Sequence, residues 1–223
     1  MAVREALLDP TAKPRLRGVS HQWAFFASLV SGTVLVVIAP SGEATLAAVI
    51  YSVAVAGLFG VSALYHRVNW QSPAARKRMR RLDHTMIFVL IAGTYTPFAL
   101  LALTKPLATI ILVVVWGGAV LGAGLKLVWI EAPKWLIAAV YIAVGWVAVA
   151  AFPQMLDHVG VFPTILVALG GVLYTIGAVV YARQRPNPVP GVFGYHELFH
   201  ALVIAAAAVQ YVVVAVYVLP RGT

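Results

Sequence analysis

Seven uninterrupted apolar runs are the feature of this sequence that most restricts its fold. Each run has about 17 to 23 residues, the length of α-helix that crosses about 30 Å of hydrocarbon at 1.5 Å per residue. The runs cover residues 23–39, 44–65, 85–103, 107–129, 135–152, 161–182 and 197–219. They are too continuous for the alternating pattern of a membrane β-barrel. The sequence therefore predicts an all-α membrane protein with seven transmembrane helices.

Composition agrees with this prediction, because the chain has too little polar surface to cover a water-soluble globule. Of its 223 residues, 62% are hydrophobic and 10% are charged, and the mean hydropathy is +0.92. We expect a multi-pass protein of the cell membrane (plasma or inner membrane). Residues 1–22 form a cytoplasmic tail in this interpretation, residues 23–219 a single seven-helix transmembrane domain, and residues 220–223 an external tail. The first run is longer than the core of a signal peptide, so we expect it to be retained.

The distribution of basic residues predicts the orientation of the chain. Fourteen of the sixteen Lys and Arg residues fall in the N-terminal tail and in alternate connections, and only Lys105 and Arg221 fall on the other side. The positive-inside rule then places the N-terminus in the cytoplasm and the C-terminus outside. The basic run at 76–81 lies in a predicted connection, residues 67–82, where topology and anionic lipid headgroups account for it. Membrane lipids are thus the expected partners, and the net charge of +9 does not indicate nucleic acid.

Histidines at the ends of two runs indicate a metal site. His196 and His200 are four residues apart, so on a helix they project from the same face. His66 directly follows the second run, whose end the predicted topology places at the same depth. The chain has no cysteine, so a metal ion must be held by nitrogen and oxygen. We predict a zinc ion bound by His66, His196 and His200 with an open fourth position, as in catalytic zinc sites. Asp83 and Ser62 are the candidate catalytic residues beside it.

Several neighbouring residues leave alternatives open. Glu197 completes a His-Glu-x-x-His motif, in which the glutamate of soluble metalloproteases is the general base, so an intramembrane metalloprotease is one interpretation. His84 points about 100° away from Asp83 on a helix and is a reserve ligand. Asp83 is expected in the first turn of the third helix, where it can also act simply as an acidic residue at a helix N-terminus. His21 and His158 are expected to be solvated, in the N-terminal tail and an external loop.

Four motifs in order carry a resemblance to a known family: Ser62-Ala63-Leu64-Tyr65-His66, Arg81-Leu82-Asp83-His84-Thr85, Gly93-Thr94-Tyr95-Thr96-Pro97-Phe98 and His196-Glu197-Leu198-Phe199-His200. Together they resemble the hemolysin III branch of the progestin and adipoQ receptor family, and the resemblance extends from the first run to the seventh. It implies seven helices with a cytoplasmic N-terminus. The corresponding three histidines coordinate zinc in the adiponectin receptors of that family. A wider kinship with alkaline ceramidases implies hydrolysis of an amide or ester bond in a lipid.

We therefore expect a zinc-binding membrane protein that hydrolyses a lipid amide or ester bond at the cytoplasmic leaflet. Asp83 would orient water or accept its proton, and Ser62 would support the site. The open alternative is a non-enzymatic protein, either a sensor of membrane state or a transporter, in which zinc only ties the second and seventh helices together. Transport is the less supported of these two, because the midplane carries few polar groups.

Overall fold

The computed structural model describes residues 13–222, and residues 1–12 and Thr223 lie outside the described part. Within it, the helices are α1 Val19–Val37, α2 Gly42–Arg67, α3 Pro73–Leu101, α4 Leu107–Val128, α5 Lys134–Gly145, α6 Phe152–His158, α7 Val161–Arg183 and α8 Tyr195–Val213. A 3₁₀ turn at Trp146–Ala151 joins α5 and α6, and α8 continues through a π turn and a 3₁₀ turn to Arg221. The predicted tails 1–22 and 220–223 lie partly outside the described residues, and the division of the chain into tails and one domain stays a prediction.

Seven segments of the described chain are long and apolar enough to cross a membrane. The joined α5 and α6 form the fifth, Lys134–His158, and α8 with its extension forms the seventh, Tyr195–Arg221. Residues 13–222 contain no β-strand, apart from one isolated bridge between Val189 and Phe193. The predicted fold class is confirmed, and the chain is a multi-pass integral membrane protein. The side of the membrane on which each terminus lies stays a prediction.

Helix α3 begins twelve residues before the predicted apolar run. Ser72 caps it by accepting a hydrogen bond from the N–H of Ala75, and Pro73 occupies the first turn, where its missing N–H costs nothing. The predicted connection of residues 67–82 therefore shrinks to residues 68–72, because hydropathy cannot detect a helical segment that is basic. The prediction that Asp83 lies in the first turn of this helix is wrong, because Asp83 lies about three turns into it.

Close approaches between helices occur at glycines. A Cβ atom added to Gly122 would lie 2.3 Å from the ring of Phe88, and one added to Gly93 would lie 2.4 Å from the Cβ of Ala54. Small residues of this kind let transmembrane helices approach closely. Close van der Waals packing stabilises helix pairs in a membrane, because lipid tails are as apolar as the side chains and the hydrophobic effect does not drive the helices together. These glycines hold α3 against α2 on one side and α4 on the other.

One end of the bundle, which we call the histidine end, is where α2 ends and α3, α5 and α8 begin. Its connections are tied to each other by polar contacts. Arg80 near the start of α3 donates to both carboxylate oxygens of Glu131 in the α4–α5 connection, at 2.8 and 3.3 Å. The Nζ of Lys134 lies 3.4 Å from the hydroxyl of Tyr195, the first residue of α8. Basic residues near the starts of α3 and α5 thus lie at the same end of the bundle.

Residues 13–18, which we call the entry segment, lie across the histidine end before α1 begins. The backbone N–H of Arg15 donates to the carbonyl of Gly191 at 3.0 Å, and that of Leu16 to the carbonyl of Val192 at 3.2 Å. These two bonds tie the start of α1 to the connection that leads into α8. The entry segment is therefore held in a defined position beside the histidines.

Candidate metal centre

Three imidazoles from two helices meet at the histidine end. His66 lies in the last turn of α2, and His196 and His200 lie in the first two turns of α8. Each offers a ring nitrogen, and the three nitrogens all lie within 4.8 Å of one another. The Nε2 atoms of His66 and His196 are 3.1 Å apart. His66 and His200 are buried, with only 6% and 2% of their surface exposed.

This donor set fits a zinc ion. Ligand nitrogens at 2.0–2.1 Å from a tetrahedral zinc are about 3.3 Å apart, close to the separation of His66 and His196. The buried Nδ1 of His200 makes no hydrogen bond to any residue in the range 13–222, so no such bond turns the ring away from the other two histidines. Three neutral imidazoles leave one position of a tetrahedral ion free. The group can therefore bind a divalent metal ion and still accept a further ligand.

Ser62 and Asp83 lie beside these histidines. The Oδ2 atom of Asp83 is 3.9 Å from the Nε2 of His66, and only 13% of the Asp83 side chain is exposed. Ser62 is buried one turn before His66 on α2, with its hydroxyl next to the Asp83 carboxyl group. The structure thus brings all five predicted site residues to one place. Their catalytic and metal-binding roles stay predictions.

His84, the reserve ligand, has both ring nitrogens in use elsewhere. Its Nδ1 lies 2.7 Å from the carbonyl of Arg80, and its Nε2 lies 3.2 Å from the hydroxyl of Tyr181. It is also absent from the group of potential ligands among the described residues. His84 instead links α3 to α7 next to the site.

Glu197 also has its carboxylate in use. One oxygen accepts the N–H of Gly194 at 2.8 Å, which is the capping-box contact of the N-terminus of α8. The other oxygen forms an ion pair with the Nε of Arg17 in the entry segment. Glu197 is only 2% exposed, whereas 18% of the Arg17 side chain is exposed. A structural role therefore accounts for the glutamate of the His-Glu-x-x-His motif.

The entry segment also places positive charge over the C-terminus of α2. The Nζ of Lys13 donates to the carbonyl of His66, where the helix dipole favours a cation. Partial burial, followed by the positive charges of neighbouring arginines, lowers the pKa of Lys13. The side of the site that faces away from the bundle is thus covered by a cationic segment.

An internal cavity extends from the histidines along the inside of the bundle. His21, Ser62, Asp83, His196 and His200 line its polar end. Its walls then become apolar and reach Phe98, Leu103, Phe152 and Met155. Asp83 and Phe98 are fifteen residues apart on α3, which corresponds to about 22 Å along the helix axis. The cavity therefore spans most of the thickness of a hydrocarbon core of about 30 Å.

The family model described as Haemolysin-III related matches residues 11–211, which is most of the chain. The chain belongs to the haemolysin-III related family. The resemblance that the ordered motifs predict is confirmed by this match, which includes all three histidines.

Relatives of this haemolysin-III related chain cover most of its length. Hemolysin-3 of Bacillus cereus is 30% identical over 82% of this chain and 80% of its own length. The Hemolysin-3 homolog of Bacillus subtilis (strain 168) is 30% identical over 75% of each chain. The Monocyte to macrophage differentiation factor of Homo sapiens, a member of the progestin and adipoQ receptor family, is 25% identical over 86% of this chain and 79% of its own.

One residue near the site of this family member is not predicted correctly from the sequence. His21 was expected to be solvated, but it is only 2% exposed and its ring stacks on the ring of His200. The reason is that α1 begins at Val19, four residues before the predicted run, so His21 belongs to the buried face of the helix. Its helical spacing from the buried Ser28, seven residues on, is the signal that would have placed it inside. His158, by contrast, is exposed as predicted.

Proposed function

We propose that this protein is a zinc-dependent hydrolase that cleaves an amide or ester bond of a lipid from the cytoplasmic leaflet, with its N-terminus in the cytoplasm. The observation that carries the proposal is the position of three potential metal ligands and a carboxylate at one end of a long apolar cavity. The uneven distribution of Lys and Arg supports the orientation. A lipid is the expected substrate because its chain matches the apolar walls.

In this proposal His66, His196 and His200 hold the ion. When bound, the zinc ion supplies Lewis-acid chemistry, which polarises a carbonyl group and activates water for attack. Asp83 lies close enough to the ligands to orient water through its carboxylate and to accept a proton. The hydroxyl of Ser62 stabilises the Asp83 carboxylate in the orientation that this transfer needs.

The cavity positions the substrate relative to these residues. A lipid chain that lies along the apolar walls would bring its polar linkage to Asp83 and the histidines, because those are the polar groups at that end. The entry segment limits the access of bulk water from the other side. Glu197 is not needed as a base in this scheme, so the contacts it makes give no support to the protease interpretation.

Metal analysis of the purified protein tests the binding site. We expect about one zinc ion per chain, and a loss of most of it in His196→Ala and in His200→Ala, because each variant removes one of three donors. His158→Ala is the matched control, since His158 is exposed and lies on α6, away from the cluster. Zinc content that is the same in all four proteins would show that the histidine cluster is not the site.

Lipid turnover tests the reaction. Vesicles that contain ceramides and phospholipids are incubated with the wild type, with Asp83→Ala and with the exposed control Asp157→Ala, and the products are measured by mass spectrometry. We expect release of a fatty acid by the wild type and the control, and a strong reduction in Asp83→Ala with zinc retained. Bound zinc without any turnover would instead favour the non-enzymatic alternative, in which the ion joins α2 to α8.

A further inference from the structure

A fourth imidazole, contributed by α1, lies against the metal centre. The ring of His21 is stacked on the ring of His200, with centroids 3.7 Å apart and an angle of 7° between the planes. The ring of His21 also makes a T-shaped contact with Phe59 on α2, with centroids 5.1 Å apart and an angle of 62° between the planes. His21 is only 2% exposed, so its ring is enclosed between α2 and α8.

The start of α1 is built so that this contact has a defined geometry. Gly18 precedes the helix with a φ of +79°, and a Cβ added there would lie 2.6 Å from the Cβ of His66. Only glycine adopts this conformation without strain and allows so close an approach to α2. The backbone bonds of Arg15 and Leu16 hold the preceding residues to the connection before α8. The first turn of α1 is thus positioned against both helices that carry the potential ligands.

The contacts of His21 are not those of a metal ligand. The group of mutually close donor atoms consists of His66, His196 and His200, and His21 is not part of it among the described residues. Neither of its ring nitrogens has a hydrogen-bond partner within the described chain, although the backbone of His200 lies close to the ring. What His21 offers the centre is therefore the flat face of its ring.

His200 needs such a contact. The torsion that turns a histidine ring about its Cβ–Cγ bond is broad, so rotamer preference alone does not set the ring plane. Metal-binding histidines are usually oriented by a hydrogen bond from the second ring nitrogen. The buried Nδ1 of His200 has no such partner within residues 13–222. The parallel ring of His21 supplies an orienting surface in place of a hydrogen bond.

We propose that His21 is a positioning residue of the metal centre, which holds the His200 ring in the plane that metal binding requires by stacking on it. The inference rests on the proposed metal site, and it assigns to α1 a part in a centre whose ligands come from α2 and α8. It predicts that the shape of the residue-21 side chain matters for metal binding, and that its nitrogens do not.

Cobalt titration of the metal-free protein in mild detergent tests this proposal. The visible absorption of Co²⁺ reports the coordination geometry directly and does not depend on turnover. We compare the wild type with His21→Phe, which keeps a flat ring, and with His21→Leu, which fills the space without one. Ser28→Ala, on the same buried face of α1 but two turns away, is the control for a general effect on the helix.

We expect His21→Leu to bind cobalt about tenfold more weakly, the effect of losing a favourable stacked pair, with altered band intensities. His21→Phe and Ser28→Ala should bind close to the wild type with unchanged spectra. Equal affinities and spectra for the wild type and His21→Leu would overturn the proposal. So would a loss in His21→Phe as large as in His21→Leu, because the nitrogens would then be required. A wild type that binds no cobalt and no zinc would remove the metal site itself, and this inference with it.

Discussion

Replacing Glu197 with glutamine distinguishes a catalytic base at this position from a residue that only stabilises the fold. In the structure its carboxylate accepts the N–H of Gly194, the N-cap residue of α8, and pairs with Arg17 of the entry segment. Glutamine keeps an oxygen for the N–H of Gly194 but removes the charge that Arg17 binds. We therefore expect Glu197→Gln to lower stability while zinc binding and hydrolysis by the folded protein persist.

The size of the effect follows from the burial of the pair. Glu197 is 2% exposed, so the bond from Arg17 is made to a buried charged group. The loss of such a bond lowers the free energy of unfolding by about 1.5–3 kcal/mol. The value stays below the 3–5 kcal/mol of a fully buried pair because the Arg17 side chain is 18% exposed and keeps part of its hydration. Glu197→Ala also loses the capping contact, which adds about 1 kcal/mol.

Unfolding in mixed micelles, with zinc content and lipid turnover measured on the same samples, checks this prediction. Combining Glu197→Gln with Arg17→Ala should give a non-additive effect, since the two side chains form one interaction. Glu43→Gln is the control, because Glu43 is exposed in the first turn of α2. The reasoning is refuted if Glu197→Gln leaves stability unchanged and abolishes hydrolysis with zinc still bound. Glu197 would then be the base, and the assignment of Asp83 would be wrong.

Two further predictions concern the bundle. Gly122→Ala should destabilise the protein by about 1–3 kcal/mol, because the added methyl group meets the ring of Phe88. In the control Gly117→Ala, in the same helix, the methyl group meets nothing within 4 Å, so this variant should be neutral or stabilising. Equal unfolding curves for the two variants would contradict the packing argument. Arg80→Ala should change thermal stability little, since its partner Glu131 is largely exposed. The hydrogen bond from Arg80 lowers the pKa of Glu131. The contribution of the pair to stability is therefore complete above the ordinary glutamate pKa and is lost as the pH falls through the lowered pKa. An NMR titration in which Arg80→Ala leaves that pKa unchanged would contradict this assignment.

The number and approximate positions of the transmembrane helices follow from the sequence because hydrocarbon imposes one strong requirement, a continuous apolar run of sufficient length. The same requirement explains where the prediction is inaccurate. Residues 73–82 are helical although they are basic, since Ser72 caps the helix and the following residues favour helix in water as well as in lipid. An apolar run marks the part of a helix within hydrocarbon and cannot mark the part that projects beyond it.

The clustering of His66, His196 and Asp83 could also be expected, because alternate helix ends lie on the same side of a membrane. Their depth follows from the topology, but their mutual distances do not. The positions of Glu197 and His84 show the limit of this argument. Both lie at the depth of the site, but Glu197 contacts Gly194 and His84 contacts Tyr181. The rotation of each helix about its axis decides these contacts, and hydropathy does not reveal that rotation.

His21 shows why the rest of the site required the structure. It precedes the first apolar run in a segment with several charges, and its burial depends on contacts made by residues more than 170 positions away. The entry segment is held to the connection before α8 by backbone bonds, which are independent of side-chain type and leave no pattern in the sequence. Because the same connection sets the start of α8, a shift of the entry segment would move His21 and the two α8 histidines relative to each other. The geometry of the metal centre therefore depends on a segment that contributes none of its ligands.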